Sequence, residues 1–221
     1  MKVSDALLQR KSTRAFLDKP VEPELISRLL ESASHAPSGT NTQPWQVAVV
    51  TGKSKQQLQT KLEAEYRSGA ESRICYQYYP LDWQSPYKER RLACGLQLYS
   101  TLDIKREDKQ KQLDQRARNF RAFDAPVMLL FFIDKVMQTG SYMDYGMFLQ
   151  SLMLAACEQG LATCPQAVLA EYPDIVKQHL EFDDDRVLIC GMSLGYEDKT
   201  DIVNSYRTPR EPVKSFTRFF D

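Results

Sequence analysis

Apolar residues change their spacing along the chain, and the changes predict where helices and strands lie. Between Pro23 and His35 they recur at helical spacing, so this stretch is predicted to be a helix with one buried face. The runs 45–51 (WQVAVVT) and 127–134 (VMLLFFID) are short, apolar and rich in β-branched or aromatic residues, which is typical of buried strands. The run 142–160 is apolar on most sides, so we expect a central helix that Gly160 terminates.

The same reading predicts the remaining elements. Helices are expected near 2–9, 53–67, 88–101, 105–120 and 172–179, and strands near 161–166 and 186–194. Residues 76–87, rich in tyrosine and proline, are expected to be irregular. Helices and strands mix without strict βαβ alternation, which favours an α+β fold with a sheet sandwiched by helices. We expect a single domain over 1–221, with 70–122 as a helical excursion.

Composition and charge exclude several classes of function. The 221 residues include 29 basic and 29 acidic side chains, so net charge provides no reason to expect a nucleic acid or membrane partner. No apolar run approaches the roughly 20 residues of a membrane-spanning helix, and the N-terminus lacks the apolar core of a secretory signal. Five cysteines without CxxC spacing and only two histidines favour reduced, mostly buried thiols in a cytoplasmic protein without a metal site.

Two basic clusters near opposite ends of the chain are candidates for holding an anion. Arg10-Lys11-Ser12-Thr13-Arg14 places three cations and two hydroxyls within five residues, which are the donors that a phosphate monoester attracts. Arg207 and Arg210 form the second cluster. Taken alone, each cluster is more typical of a solvated basic loop, and the sequence does not show whether the two converge.

The loop Pro37-Ser38-Gly39-Thr40-Asn41-Thr42-Gln43-Pro44-Trp45 lies between a predicted helix and a predicted strand. Its small side chains, accessible backbone and amide groups suit hydrogen bonds to the carbonyls and ring nitrogens of a flat heterocycle. The alternative is an ordinary turn with a packing tryptophan.

Together and in this order, these elements resemble the nitroreductase family of FMN-dependent oxidoreductases, in the branch that includes nitrobenzoate reductases. The family's R-x-S-x-R/K opening, its P-S-S/G-x-N-x-Q-P-W loop and its basic R-x-P-type end are matched at 10–14, 37–45 and 207–212. Further similarity lies at Asn119, at Phe123-Asp124-Ala125-Pro126 and around Asp144, Gly146 and 160–163. The resemblance covers nearly the whole chain and implies a central, mostly antiparallel sheet.

The resemblance also implies a role for each matching residue. FMN's phosphate and ribityl end would be held by Arg10, Lys11, Ser12 and Arg14, joined by Arg207 and Arg210. The other subunit of a homodimer would reach the isoalloxazine with Pro37, Ser38, Gly39 and Asn41. Asn119 would lie near the pyrimidine edge or the ribityl chain. A backbone N–H near flavin N5 would come from Pro165-Gln166-Ala167, where the family commonly has Pro-x-Glu-Gly.

The activity that the resemblance implies is ping-pong transfer of hydride from NAD(P)H, through flavin N5, to nitroaromatics, quinones or similar small acceptors. No catalytic side chain and no metal are expected. Two alternatives stay open: another flavin reaction on this scaffold, such as dehalogenation or enone reduction, and a non-catalytic FMN-binding protein. Four aromatic side chains either line the substrate side of the flavin or pack in the core or between subunits: Tyr78, Tyr79, Trp83 and Phe123.

Two further features each have a structural and a functional interpretation. Phe216, Phe219 and Phe220 near the C-terminus either fold back on the same chain or wrap a second subunit, and we favour the second. Cys164 beside the N5 segment is expected to be a buried structural thiol and not a redox centre. Asp144 and Tyr145 are expected at a helix surface or an interface.

Overall fold

Residues 1–221 are described by a computed structural model. The helices are α1 (Val3–Gln9), α2 (Pro23–Ser34), α3 (Gly52–Arg67), α4 (Tyr87–Thr101), α5 (Lys109–Ala117), α6 (Thr139–Glu158) and α7 (Pro173–Leu180). The strands are β1 (Gln46–Thr51), β2 (Val127–Asp134), β3 (Ala162–Gln166) and β4 (Arg186–Gly195). All strand pairs are antiparallel, in the order β1-β2-β4-β3. The α+β fold and its antiparallel sheet are confirmed.

Local sequence signals explain several helix boundaries. Pro23 and Pro173 each occupy the first turn of their helix, where the missing N–H leaves no hydrogen bond unmade. Gly160 follows α6 with a φ of 71°, a left-handed conformation that favours glycine, so its predicted role as the stop of this helix is confirmed.

Strand β2 separates two apolar clusters, one on each face of the sheet. Seven of its eight residues are buried. Leu129, Phe131 and their neighbours of the same parity pack with residues of α2 and α6. Leu130 and Phe132 point the other way and pack with residues of α3 and α7. Because alternate side chains of a strand face opposite sides, this single strand contributes to both cores and produces the predicted sandwich.

The prediction that β1 is a buried strand is wrong. Only Val50 of its six residues is buried, and the side chain of Val49 is 43% exposed. The strand pairs with β2 alone, so it forms one edge of the sheet. Periodicity does not separate a half-buried edge strand from a central one, because both tolerate a continuous apolar run.

Helix α6 packs across the sheet, as its composition predicts. Tyr145, expected at a helix surface or an interface, is instead 1% exposed within the single chain. Its hydroxyl donates to the backbone oxygen of Gln46 at 2.9 Å and accepts from the backbone N–H of the same residue at 3.2 Å. The aromatic ring is large enough to lie in the core while its hydroxyl reaches Gln46, the first residue of β1. Neither α6 nor any other helix combines the length and apolar character of a membrane span.

Residues 70–122, the predicted excursion, include few buried positions compared with the rest of the chain. Helix α4 contains no buried residue. The helix expected over 105–120 is shorter, because α5 gives way at Arg118 to a 3-10 segment that ends at Asp124. Ala122 and Phe123 have a φ of 52° each, which an α-helix does not allow. Between α3 and α4 the chain forms neither helix nor strand, as predicted for 76–87.

The thiols are free, but the expectation that most are buried is wrong. Cys164 and Cys190 are buried, whereas Cys75 and Cys94 are exposed and Cys157 is intermediate. The two exposed thiols belong to the excursion, where little of the surface is covered.

Tyr145→Phe should lower the free energy of unfolding by about 1–2 kcal/mol, because it leaves backbone groups of Gln46 without their partner. Urea denaturation would measure the change. Tyr142→Phe is the matched control, since the Tyr142 hydroxyl has no hydrogen bond and lies on the same helix. Equal stability of the two variants would contradict a structural role for the Tyr145 hydroxyl.

Candidate functional site

The basic segment 10–14 leaves α1 and runs beside the edge strand β3. The backbone N–H of Thr13 donates to the backbone oxygen of Thr163 at 3.0 Å, and Ser12 forms a parallel bridge with the same residue. Thr13 is 1% exposed, so the segment is part of the folded body and not a free loop. The flanking side chains of Ser12 and Arg14 are thereby held at a fixed position along β3.

The buried side chain of Asn204 brings the C-terminal part of the chain to this segment. Its Oδ1 accepts from the backbone N–H of Arg14 at 2.8 Å, and its Nδ2 donates to the backbone oxygen of Ala15 at 2.9 Å. The ammonium of Lys11 donates to the backbone oxygen of Asn204 and pairs with Glu197 at 2.7 Å. Residues 197–210 are therefore tied to residues 10–15.

The two basic clusters meet at one cavity of about 390 Å³. All six residues predicted to surround a phosphate line it: Arg10, Lys11, Ser12, Arg14, Arg207 and Arg210. The other lining residues are Leu7, Leu8, Cys94, Tyr206 and Thr208. Convergence of the chain ends, which the sequence left open, is thus a feature of the fold.

The cationic side chains of this cavity differ in whether a carboxylate of the protein already neutralises their charge. The guanidinium of Arg10 has no ion pair and donates no hydrogen bond, and its pKa is lowered by burial and by the nearby charges of Arg210 and Arg207. Lys11, by contrast, already has Glu197 as its counterion. A bound anion would relieve the repulsion around Arg10, which is the electrostatic character expected of an anion site.

Arg207 contacts the protein itself as well as lining the cavity. Its guanidinium donates to the backbone oxygens of Leu8 at 2.5 Å and of Arg10 at 3.3 Å, and to that of Gln9. The last carbonyls of a helix lack intrahelical partners, so this arginine caps α1. It therefore holds the backbone of Arg10 in place.

A second group of predicted residues lies further along β3. Asn119, Pro165, Gln166 and Ala167 line one cavity of about 610 Å³. The Nε2 of Gln166 donates to the backbone oxygen of Asn119 at 3.0 Å, and its Oε1 accepts from the buried Ser193 hydroxyl at 2.5 Å. Gln166 follows Thr163 by three residues, which is roughly 10 Å along a strand. The larger cavity is thus lined by β3 itself, whereas the smaller one is connected to β3 through Ser12, which bridges to Thr163.

The loop at 37–41 lies apart from both groups within one chain. It lines neither of the two cavities. Ser38 Oγ accepts from the backbone N–H of Gln43 at 2.9 Å, and the backbone N–H of Gly39 donates to Asp144 at 3.1 Å. These bonds fix the loop against α6.

The Cys164 thiol, which precedes Pro165, is buried, as predicted. Burial raises the pKa of Cys164 to about 11, so it remains a protonated thiol at neutral pH. Cys190 is buried on the neighbouring strand, and burial raises its pKa to about 12.

The aromatic candidates divide into two environments. Tyr78 and Tyr79 are each 53% exposed and line the 610 Å³ cavity. Phe123 is 2% exposed, so the packing interpretation holds for it. Sequence reasoning missed Asn204, because a single polar residue in a polar tail carries no signal. It likewise missed Glu197.

The sequence matches known proteins over nearly its whole length. Residues 7–196 match the model of the nitroreductase family. A 4-nitrobenzoate reductase of Pseudomonas putida is 40% identical over 210 residues, which cover 95% of this chain and 92% of that protein.

Solved structures agree in fold. The FMN- and NADPH-dependent nitroreductase NfnB of Sphigopyxis sp. strain HMH has a TM-score of 0.97 and 39% identity, with all of both chains covered. The FMN-dependent NfnB of Mycobacterium smegmatis, solved in complex with NADPH, has a TM-score of 0.94 and 33% identity over 99% of this chain and 98% of that one. The chain therefore belongs to the nitroreductase family.

Proposed function

We propose that this protein is an FMN-dependent oxidoreductase that uses NAD(P)H to reduce nitroaromatics, quinones or similar small acceptors. The observation that carries the proposal is the cavity at which cations from both ends of the chain meet. The descriptions of its relatives as nitroreductases that depend on FMN and NADPH support the same activity.

The side chains around the cavity suit the phosphate of FMN. Arg10 and Arg210 have no carboxylate partner, so both are available to a dianion, and Ser12 adds a hydroxyl. Guanidinium groups bind phosphate oxygens through paired, charge-assisted hydrogen bonds. Lys11 stays near charge balance through Glu197 and contributes mainly by fixing the tail.

The ring of FMN would then extend along β3 toward Asn119, Gln166 and Ala167. Bound there, FMN would supply the two-electron redox chemistry that connects NAD(P)H to the acceptor, through N5 and in ping-pong order. The chain itself contributes binding and orientation: the network of Ser193, Gln166 and Asn119 keeps the segment beside the ring rigid. No side chain acts as a nucleophile or general base in this proposal.

A second copy of the chain would complete the site with its loop at 37–41. Large apolar side chains are left exposed on three elements: Leu92 and Leu96 on α4, Met143 on α6, and Phe219 and Phe220 in the tail. These side chains are available to be buried against a second subunit, which would remove their apolar surface from water. Free thiols throughout the chain agree with a reducing compartment, which supports a cytoplasmic location.

Purified protein should be yellow and should bleach when NADPH or NADH is added without oxygen, because bound FMN is then reduced. Anaerobic absorption spectroscopy measures both. Colour without bleaching would leave a flavin-binding protein that is not an enzyme.

Acceptor screening separates the reactions open to such a scaffold. The reduced protein should regain its colour with 4-nitrobenzoate, nitrobenzene or a benzoquinone. Reoxidation by haloaromatics or enones alone would contradict the proposed acceptor class.

Arg10→Ala should weaken FMN binding by roughly tenfold to a hundredfold, which corresponds to about 1.5–3 kcal/mol for one charge-assisted contact. Fluorescence titration of the apoprotein with FMN measures this, and Arg28→Ala, an exposed arginine of α2, is the control. Unchanged FMN affinity in Arg10→Ala and in Arg207→Ala would remove both residues from the site.

In analytical ultracentrifugation the wild-type protein should sediment as a dimer. The double variant Phe219→Ser, Phe220→Ser should have a larger dimer dissociation constant, so it should become monomeric at protein concentrations at which the wild type is still a dimer. The dimer is expected to be weaker because the variant buries less apolar area at the interface. Val136→Ser is the control, because Val136 is 74% exposed outside these elements. A wild-type monomer that retains FMN would refute the shared site.

A further inference from the structure

Five aromatic side chains form a continuous row that begins on α6 and continues into the segment 70–122. Tyr142 and Tyr76 have ring centroids 5.7 Å apart, and Tyr76 and Tyr78 follow at 6.3 Å. Tyr78 and Tyr79 are 4.6 Å apart, and Trp83 lies 5.6 Å beyond Tyr79. We call these five residues the aromatic row.

The inner end of the row lies at the 610 Å³ cavity, where the ring of FMN is proposed to bind. Tyr76 and Tyr78 line the same cavity as Gln166 and Ala167. The outer end is formed by Tyr79, which still lines this cavity and is 53% exposed, and by Trp83, which lies beyond Tyr79 and is half-buried. The rings of the row contact one another edge-on or tilted, so the row links the outer aromatic side chains to the segment beside the proposed ring.

A cation without a counterion lies at the outer end. The guanidinium of Arg91 stands 4.9 Å from the ring centre of Trp83 and 6.0 Å from that of Tyr79. It forms no ion pair and donates no hydrogen bond, whereas the adjacent Arg90 pairs with Glu211 at 3.1 Å. The N–H donors of Arg91 are therefore available while its face stacks on aromatic rings.

We propose that the outer part of the aromatic row binds the adenosine arm of the nicotinamide nucleotide, with Arg91 holding the 2′-phosphate of NADPH. This inference rests on the proposed function, because the nicotinamide must reach the flavin at the inner end. Adenine then lies outward, against Tyr79 and Trp83, where stacking on aromatic side chains stabilises a base.

The direction of the ligand decides which phosphate Arg91 meets. The nicotinamide is at one end of the dinucleotide and the adenosine ribose is near the other, so a cation at the outer end faces the ribose phosphate. Arginine binds a phosphate dianion through two parallel hydrogen bonds, and NADH has no phosphate at this position. The arrangement therefore favours NADPH over NADH.

Fragments of the nucleotide test this without turnover. Calorimetric titration of the FMN-loaded protein should show that 2′,5′-ADP binds at least about tenfold more tightly than 5′-AMP, the effect of one charge-assisted contact. Arg91→Ala should abolish that preference. Trp83→Leu should weaken both ligands by roughly tenfold, because both contain the stacked base.

Steady-state kinetics provide the second readout. In Arg91→Ala, kcat/KM for NADPH should fall by roughly tenfold to a hundredfold while that for NADH stays within about twofold. Arg106→Ala is the control, because Arg106 is an exposed arginine on the same excursion without an ion pair.

Two results overturn the inference. One is a wild-type protein that binds both fragments equally, and the other is an Arg91→Ala variant that keeps the preference for 2′,5′-ADP. Failure of the proposed function differs from both, since the protein would then lack FMN or would not be bleached by either dinucleotide.

Discussion

The buried amide of Asn204 is the contact on which the architecture of the candidate site depends. A buried amide must satisfy its donors and its acceptor, and here the partners are backbone groups at 14, 15 and 198. The contact brings the tail beside α1, and Lys11 strengthens it through Glu197. Without it, nothing in the local sequence would place Arg207 and Arg210 near Arg10.

The sheet divides the molecule into a packed centre and two accessible edges. Strand β2 contributes side chains to both apolar cores. Edge strands have backbone groups and side chains that are not covered by neighbouring strands. At β3 that edge pairs with the segment 12–13, from which Ser12 lines one candidate cavity, and β3 itself lines the other with Pro165 and Gln166. The site is therefore built on a rigid element but stays open to ligands.

Charge compensation separates structural cations from those available to ligands. Arg121 pairs with Glu63 and Asp124, and Arg73 with Glu65 and Asp174, so these arginines stabilise the excursion and its neighbours. Arg10 and Arg91 have no such partners, and each lies where a candidate ligand carries phosphate. The distinction is decided by which carboxylates the fold brings near, since all these arginines look alike in the sequence.

Much of the fold follows from the sequence. Helical spacing, proline at helix starts and glycine after α6 place the elements to within a few residues, because these signals act through local backbone geometry. The order of motifs at 10–14, 37–45 and 207–212 was sufficient to identify the family. Where local signals failed, as in the end of α5 or the exposure of β1, the decision came from contacts between distant residues.

What only the tertiary structure decided is which residues meet. The burial of Tyr145, the tie made by Asn204, the capping of α1 by Arg207 and the stacking of Arg91 on Trp83 all join residues whose pairing no local pattern specifies. The sequence by itself determined the elements and the chemical groups they carry, because periodicity and turn chemistry act over a few residues. Packing alone determined which of those groups are neutralised and which are left free, because charge compensation and burial depend on neighbours that are distant in the chain.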